Sequence, residues 1–342
     1  MLDEIFLKEG IFKNCIKVIK DENGLTPIRF TDRQMKVYAK SLNYKQRSCC
    51  PSGVCMDFVT DSSFIKFEYT KRDSVRNWLF FDIYINETFI ETFGSAPIDR
   101  NSKDFYFEIP SRCEIASKGQ SSEKNKAKNR ITIYLPHMVD ISIKNIELSK
   151  GASIEAAKPY GKNLLCLGDS ITQGMDSKHP SLAYPVLLSR YLGMNLLNQG
   201  VGGYKFDAES LDPEIPYKPD LITVAYGTND WGAVDSQETL KKNCLEYISK
   251  LIDTFPEAKI AVITPLWRAD MRELKAMGTF YEACDTIKSV CSEFKQIYIL
   301  DGLELAPHIP EFYGDRKLHP SGEGFLYMAM NILNKLEKLN IK

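Results

Sequence analysis

Between residues 160 and 342, short apolar runs alternate with stretches of helical spacing, and this alternation narrows the possible folds more than any other feature of the chain. NLLCL (163–167), NLLN (195–198), LITVAY (221–226), KIAVIT (259–264) and IYIL (297–300) read as short buried strands. Between them, residues 181–192 have helical spacing that stops at Gly193, and residues 270–294 form a further expected helix. Asp235 with Glu238 makes a capping-box pattern ahead of an apolar stripe of Leu240, Cys244, Ile248, Leu251 and Ile252. A last helix is expected from 321 towards 339. Strands alternating with helices build a parallel sheet covered on both faces, an α/β layout. Ligands of such sheets sit beyond the carboxyl ends of the strands, so unusual residues matter most at that edge.

The first part of the chain has a different period. Runs such as VCMDFV, SFIKFEYT, WLFFDIYI, DFYFEI, RITIYL and VDISIKNIEL, between 54 and 148, place Val, Ile, Phe and Tyr at a spacing near two. Separated by Ser, Asn, Asp, Gly and Pro, they predict an all-β antiparallel sandwich of jelly-roll type. One short helix over 31–42, capped by Thr31 or Asp32, is expected before it. The polar segment 117–129 reads as a solvated hairpin loop. With a connector near 151–161, the 342 residues divide into a sandwich domain over 1–155 and an α/β domain over 160–342.

Charge and composition exclude several classes of function. Lys and Arg number 44 against 45 Asp and Glu, a net charge of -1, which lacks the basic footprint of a nucleic-acid binder or a polybasic membrane anchor. No apolar run approaches the ~20 residues that span a bilayer. The amino terminus, MLDEIFLKEG, does not read as a signal peptide. The nine cysteines are accordingly expected as reduced thiols of a cytoplasmic protein. Cys49, Cys50 and Cys55 cluster, but no histidine or fourth cysteine lies close in sequence to complete a zinc site. No phosphate-binding loop is present, and neither a cofactor nor a metal is expected.

The chemistry-bearing residues fall at the strand ends. NLLCL runs into GDSITQG (168–174), which presents Ser170 at the edge of the sheet. Taken alone, GDS also reads as an N-cap serine in an ordinary turn. NQGVGG (198–203) follows the second strand, and its glycines free backbone N–H groups to approach an oxyanion. YGTND (226–230) follows the third and offers the neutral donor Asn229. DRKLHP (315–320) precedes the last helix and supplies an imidazole, His319. Of the other three histidines, His137 lies in the β region, while His179 and His308 sit beside prolines in expected loops.

These four blocks, with LHPSGEG (318–324) as the last, resemble those of the SGNH, or GDSL-type, hydrolases in order and rough spacing over about 160–342. The resemblance implies a flavodoxin-like three-layer fold, Ser170 as nucleophile and His319 as base. It also implies an oxyanion hole made by the Ser170 N–H, the Gly203 N–H and the Asn229 side chain. One departure stands out. The family places the acid three residues before the histidine, where this chain has Arg316, and Asp315 lies four before. Either the loop absorbs the extra residue and Asp315 orients His319, or a backbone carbonyl holds the ring in a Ser–His dyad.

SLAYP (181–185), FDIY (81–84) and ITIYLP (131–136) are similar to segments of bacterial two-domain members that include carbohydrate acetylesterases. That likeness makes a small-molecule or oligosaccharide ester the expected partner, with acetyl the leading acyl group. A lipid or thioester hydrolase and a carbohydrate-binding protein with an inert hydrolase half are the alternatives. Asp169, Trp231, Trp267 and Arg268 are candidate substrate contacts, and for the tryptophans simple packing is the competing reading. The oligomeric state is not set by these features.

Overall fold

In the computed structural model, residues 2–110 and 128–340 are described, so most of the 117–129 segment lies outside the described residues. The parallel sheet runs Met194–Gly200, Lys162–Gly168, Leu221–Ala225, Lys259–Ile263 and Ile297–Leu300 in spatial order. The first strand in sequence therefore has the second on one side and the third on the other, with Leu164 paired to both Leu196 and Leu221. This is the flavodoxin-like order, and it opens a crevice beyond the carboxyl end of Lys162–Gly168, where successive connections leave for opposite faces.

Strand alternation sorts the side chains into two cores. Leu165 and Leu167 pack with Leu240, Ile248, Leu251, Ile287 and Val290 under the helices Gln237–Thr254 and Phe280–Ser292. Leu164 and Cys166 pack on the opposite face with Leu187, Leu188, Phe325 and Ile332 under Tyr184–Leu192 and Gly322–Lys338. Each strand is buried on both faces, which is why it reads as an unbroken apolar run.

The helix starts differ from the sequence reading where a neighbouring residue makes the better cap. Ser236 caps Gln237–Thr254 by accepting from the Thr239 N–H, and Asp235 instead holds the Thr239 hydroxyl at 2.8 Å. The expected helix over 270–294 begins only at Phe280, because the hairpin of Leu274–Lys275 and Gly278–Thr279 comes first and Thr279 with Glu282 closes the capping box. The 181–192 segment opens as a 3-10 turn, and its α-helix starts at Tyr184, placing Pro185 in the first turn where its missing N–H costs nothing. Gly193, at φ 60°, ends it as expected. The 31–42 helix is two: Asp32–Tyr38, boxed by Thr31 and Gln34, and Leu42–Cys49.

The first half is a sandwich of two antiparallel sheets. One orders Phe12–Lys13, Cys55–Thr60, Asn129–Tyr134, Leu79–Ile85 and Thr88–Ser95, with Ile154–Ala156 also on Cys55–Thr60. The other orders Lys17–Asp21, Gly24–Ile28, Val139–Leu148, Phe64–Ser74 and Asp104–Glu108. Phe58, Phe67, Phe81, Phe105, Ile131 and Ile143 fill the space between them. Residues 12–28 form strands that the sequence did not reveal. Lys17–Asp21 is largely exposed, so it carries no apolar alternation. Among the described residues, no helix is long and apolar enough to cross a membrane.

The two halves are joined by polar contacts as well as packing. Arg29, 1% exposed, sends its guanidinium to the carbonyls of Cys50, Asn198 and Gly200 at 2.7, 2.5 and 3.2 Å. Burial pushes its pKa down to about 10, still far above neutrality, so a charge is held on backbone dipoles. Arg29→Met should cost about 2–4 kcal/mol, because several buried carbonyls lose their donor together. Urea unfolding measures this, and a loss below about 0.5 kcal/mol would mean that those carbonyls find other donors.

Candidate active site

Lys162–Gly168 ends at Asp169, which caps the short helix Ser170–Gln173 by accepting the Ile171 N–H at 2.9 Å. The first turn of a helix has no preceding carbonyls to bond, which leaves the Ser170 N–H without an intrahelical acceptor. Ser170 itself is only 3% exposed, and its Oγ lies 2.9 Å from His319 Nε2. Burial drives the Asp169 carboxyl up to about 7, against the opposing Ile171 bond.

The loop carrying His319 resolves the one-residue departure in spacing. Tyr313 bridges Pro320, and the Gly314 N–H donates to the His319 carbonyl at 2.8 Å, closing the loop on itself. Arg316 takes φ 57°, a left-handed turn that accommodates the extra residue. Asp315 Oδ1 then accepts the N–H groups of Lys317, Leu318 and His319 at 2.9, 2.8 and 3.1 Å. Its other oxygen receives His319 Nδ1 at 2.7 Å. Burial opposes its ionisation, but the His319 and backbone hydrogen bonds outweigh it and hold Asp315 below the usual carboxylate range. The ring thus faces a carboxylate.

A second carboxylate lies beside the same nitrogen, and the sequence reading did not identify it. Asp176 Oδ2 stands 3.2 Å from His319 Nδ1. Asp176 also receives Arg76 of the sandwich through Nε at 2.7 Å and Nη2 at 3.1 Å. Burial of the His319 ring disfavours its charge, yet Asp176 and Asp315 together hold its pKa above the ordinary value. Gly314 lies against the backbone of this residue: a Cβ there would come within 2.7 Å of the Asp176 main-chain carbonyl oxygen.

The loop at 198–203 presents one open donor. The Gly200 N–H is taken by Asn198 Oδ1 and the Gly202 N–H by Gln173 Oε1, both at 2.8 Å. The Gly203 N–H has no acceptor among the described residues. Gly203 sits at φ 77° under the Arg47 guanidinium, 2.8 Å from where a Cβ would stand, so only glycine fits there without displacement. Arg47 Nη1 and the Tyr44 hydroxyl donate to the Gly202 and Gly203 carbonyls at 2.7 and 3.2 Å, holding those oxygens on the sandwich side. Asn229 Nδ2 is nearby, its protons directed to Asp169 Oδ2 at 3.0 Å and the Tyr204 carbonyl at 3.1 Å.

Three of the expected substrate contacts are otherwise engaged. Trp231 is 0% exposed, donates to the Gly278 carbonyl at 3.0 Å and packs edge-on to Phe280, so its indole belongs to the core. Arg268 lies over that ring, pairs with Asp270 through two nitrogens and donates to Thr228, which makes it a brace for the 228–230 turn. Asp169, 1% exposed, is spent on its cap and on Asn229. Trp267 is half-buried, against Tyr313 of the His319 loop. Of the other histidines, His137 is buried against the Gly174 carbonyl and Ser177, His179 lies 3.3 Å from the buried Asp82, and His308 meets the Leu303 carbonyl. Asp176, Asp315 and His319 are near enough to share a cation, but Arg76 and the backbone N–H groups already occupy their carboxylates.

Residues 166–325 match the GDSL-like Lipase/Acylhydrolase family. No match is found among curated proteins. A salicylyl-acyltransferase from a tetracycline biosynthetic pathway aligns with 96% of this chain and 94% of its own, at 18% identity and a TM-score of 0.75. A structure described as a GDSL-like lipase from Bacteroides ovatus covers 98% and 97%, at 19% identity and 0.75. A family two carbohydrate esterase from Clostridium thermocellum, in complex with cellohexaose, covers 96% and 99%, at 14% identity and 0.65. At such identities the likeness is one of fold, and it extends over both halves of the chain.

The raised pKa of Asp169 has a consequence for stability. An unfolded aspartate titrates near ~3.9, so from there to about 7 the folded chain keeps a proton that the unfolded chain releases. This contribution is fully present below the unfolded pKa and is lost as pH rises through about 7. Asp169→Asn removes the linkage, and its stability relative to wild type should improve by a few kcal/mol, order of magnitude, between pH ~4 and pH ~8. Urea unfolding at both pH values tests this; a difference that stays constant would show that Asp169 ionises in the fold without penalty.

Proposed function

With residues 166–325 a GDSL-like lipase/acylhydrolase domain, we propose that this protein is a serine esterase that removes a short acyl group, acetyl foremost, from a carbohydrate ester. The observation that carries the reading is the line Ser170 Oγ, His319 Nε2, His319 Nδ1, Asp315 Oδ2, with links of 2.9 and 2.7 Å. His319 takes the Ser170 proton as Oγ attacks the acyl carbon. The oxyanion is taken up by the Ser170 and Gly203 N–H groups, which have no acceptor of their own among the described residues, and Asn229 joins them by turning one proton from its resting acceptor. The imidazolium then returns the proton to the departing sugar oxygen, and water deacylates Ser170 through the same base.

Two features support the substrate class. The sandwich plus α/β arrangement is shared along nearly its whole length with a carbohydrate esterase. The near-complete burial of Ser170 favours a small acyl group. The likeness to an acyltransferase favours a second reading, in which the acyl group passes from Ser170 to an acceptor hydroxyl instead of water.

Ser170→Ala should remove essentially all turnover of an acetylated saccharide while leaving the unfolding midpoint close to wild type, and a folded variant that keeps most activity would refute the nucleophile. Across a panel of esters, rates should fall steeply from acetyl to octanoyl. A preference for octanoyl would overturn the short-acyl assignment, and acyl transfer to added saccharide in excess of free acid would favour the transferase reading.

A further inference from the structure

Resting on the esterase reading, we propose that Asp176 and Arg76 form a second positioning pair for His319, so that the sandwich half, through Arg76, takes part in orienting the imidazole. The geometry is specific. Asp315 takes the Nδ1–H bond at 2.7 Å, and Asp176 faces the same nitrogen at 3.2 Å. Both Asp176 oxygens are gripped by the Arg76 guanidinium in a fork, which fixes the plane of the carboxylate as well as its distance. Asp176 is 7% exposed, so the pair works where water screens little.

The segment bearing Asp176 is secured from the sandwich at further points. His137 lies 3.0 Å from both the Gly174 carbonyl and the Ser177 hydroxyl. Asp82 accepts the Ser181 N–H at 2.9 Å and the Ser181 hydroxyl at 2.7 Å. Asp176 itself holds φ 70°, a conformation aspartate tolerates better than most residues. Gly314 lets the His319 loop settle directly onto it.

The balance of charge explains what the arrangement does. With the imidazole neutral, Asp176, Asp315 and Arg76 sum to minus one; when His319 takes the Ser170 proton, the cluster becomes neutral. Two unpaired carboxylates beside one ring would hold the proton too tightly for a base that must release it, and Arg76 offsets one of them. The other groups that bear on the ring are Ser170 and Asp169 at the strand end, with the Arg47 charge beside Arg76.

The test measures Ser170 phosphonylation by a fluorophosphonate probe as a function of pH, alongside kcat and KM for an acetyl ester. Labelling needs only the serine and its base, so a wild type that labels but does not cleave the ester would sink the substrate class and leave this proposal open to the same assay. Asp176→Asn should lower kcat about tenfold or more with KM little changed, and shift the acid limb of the labelling profile down by about half a pH unit or more. Arg76→Lys, which keeps the charge but loses the two-nitrogen fork, should leave the acid limb near its wild-type position while lowering kcat by several-fold, because the plane of the Asp176 carboxylate is no longer fixed. Asp315→Asn should keep a residual rate that the Asp176→Asn, Asp315→Asn double variant loses. A wild-type limb and rate in Asp176→Asn would overturn the proposal. So would an Asp176→Asn loss confined to thermal stability, with labelling per folded molecule unchanged.

Discussion

An imidazole is poised as a base toward a serine when the proton on its other nitrogen is held, because the held proton fixes both the tautomer and the ring plane. For His319 that proton faces carboxylates on two sides, and much of the architecture serves to keep them there. One is local: Asp315, whose other oxygen organises three successive N–H groups of its own loop. The other arrives from outside the loop and depends on the antiparallel sandwich to hold it.

The parallel sheet supplies the other partner. Its strand order leaves the end of Lys162–Gly168 open between neighbours that connect to opposite faces, and Ser170 sits at that opening. The two halves of the chain also share the work around it. Arg29, Tyr44 and Arg47 hold the carbonyls of the 198–203 loop from the sandwich side, which turns the Gly203 N–H away from them. A loop built of glycines costs more conformational entropy to order than most, and these three side chains oppose that cost with directed hydrogen bonds.

The candidate substrate contacts that the fold engages elsewhere share one cause. Trp231 follows GTND, which places it beside the pocket in sequence, yet the turn at Asn229–Asp230 directs its indole back under the strand ends, against Phe280. Arg268 is a natural partner for hydroxyls, but a guanidinium two residues from Asp270 closes a local fork with it. Sequence adjacency to a motif places a backbone position, whereas the direction of a side chain is set by what packs around it. The cap at Ser236 and the late start of Phe280–Ser292 are smaller cases of the same kind, decided by which hydroxyl reaches the N3 amide.

The sequence by itself determined the parallel strands to within a residue or two and the antiparallel character of the first half, and it set Ser170, Asn229 and His319 as candidates beside the strand ends, with Gly203 added by the family resemblance. These are legible because they rest on local rules: burial on two faces makes continuous apolar runs, one-sided burial makes alternation, and the motif residues lie at the ends of the runs. Asp315 was legible as a candidate, and the left-handed turn at Arg316 decided that it reaches the ring. Asp176 lies just past the GDSITQG block and carries no signal there, because its partners Arg76 and His319 are each 100 or more positions away. Contacts of that separation obey no period and no spacing: Asp176 meets His319 only once the α/β half has closed its loops over the strand ends, and Arg76 only once the sandwich packs against that half, and this packing is what the tertiary structure alone decided.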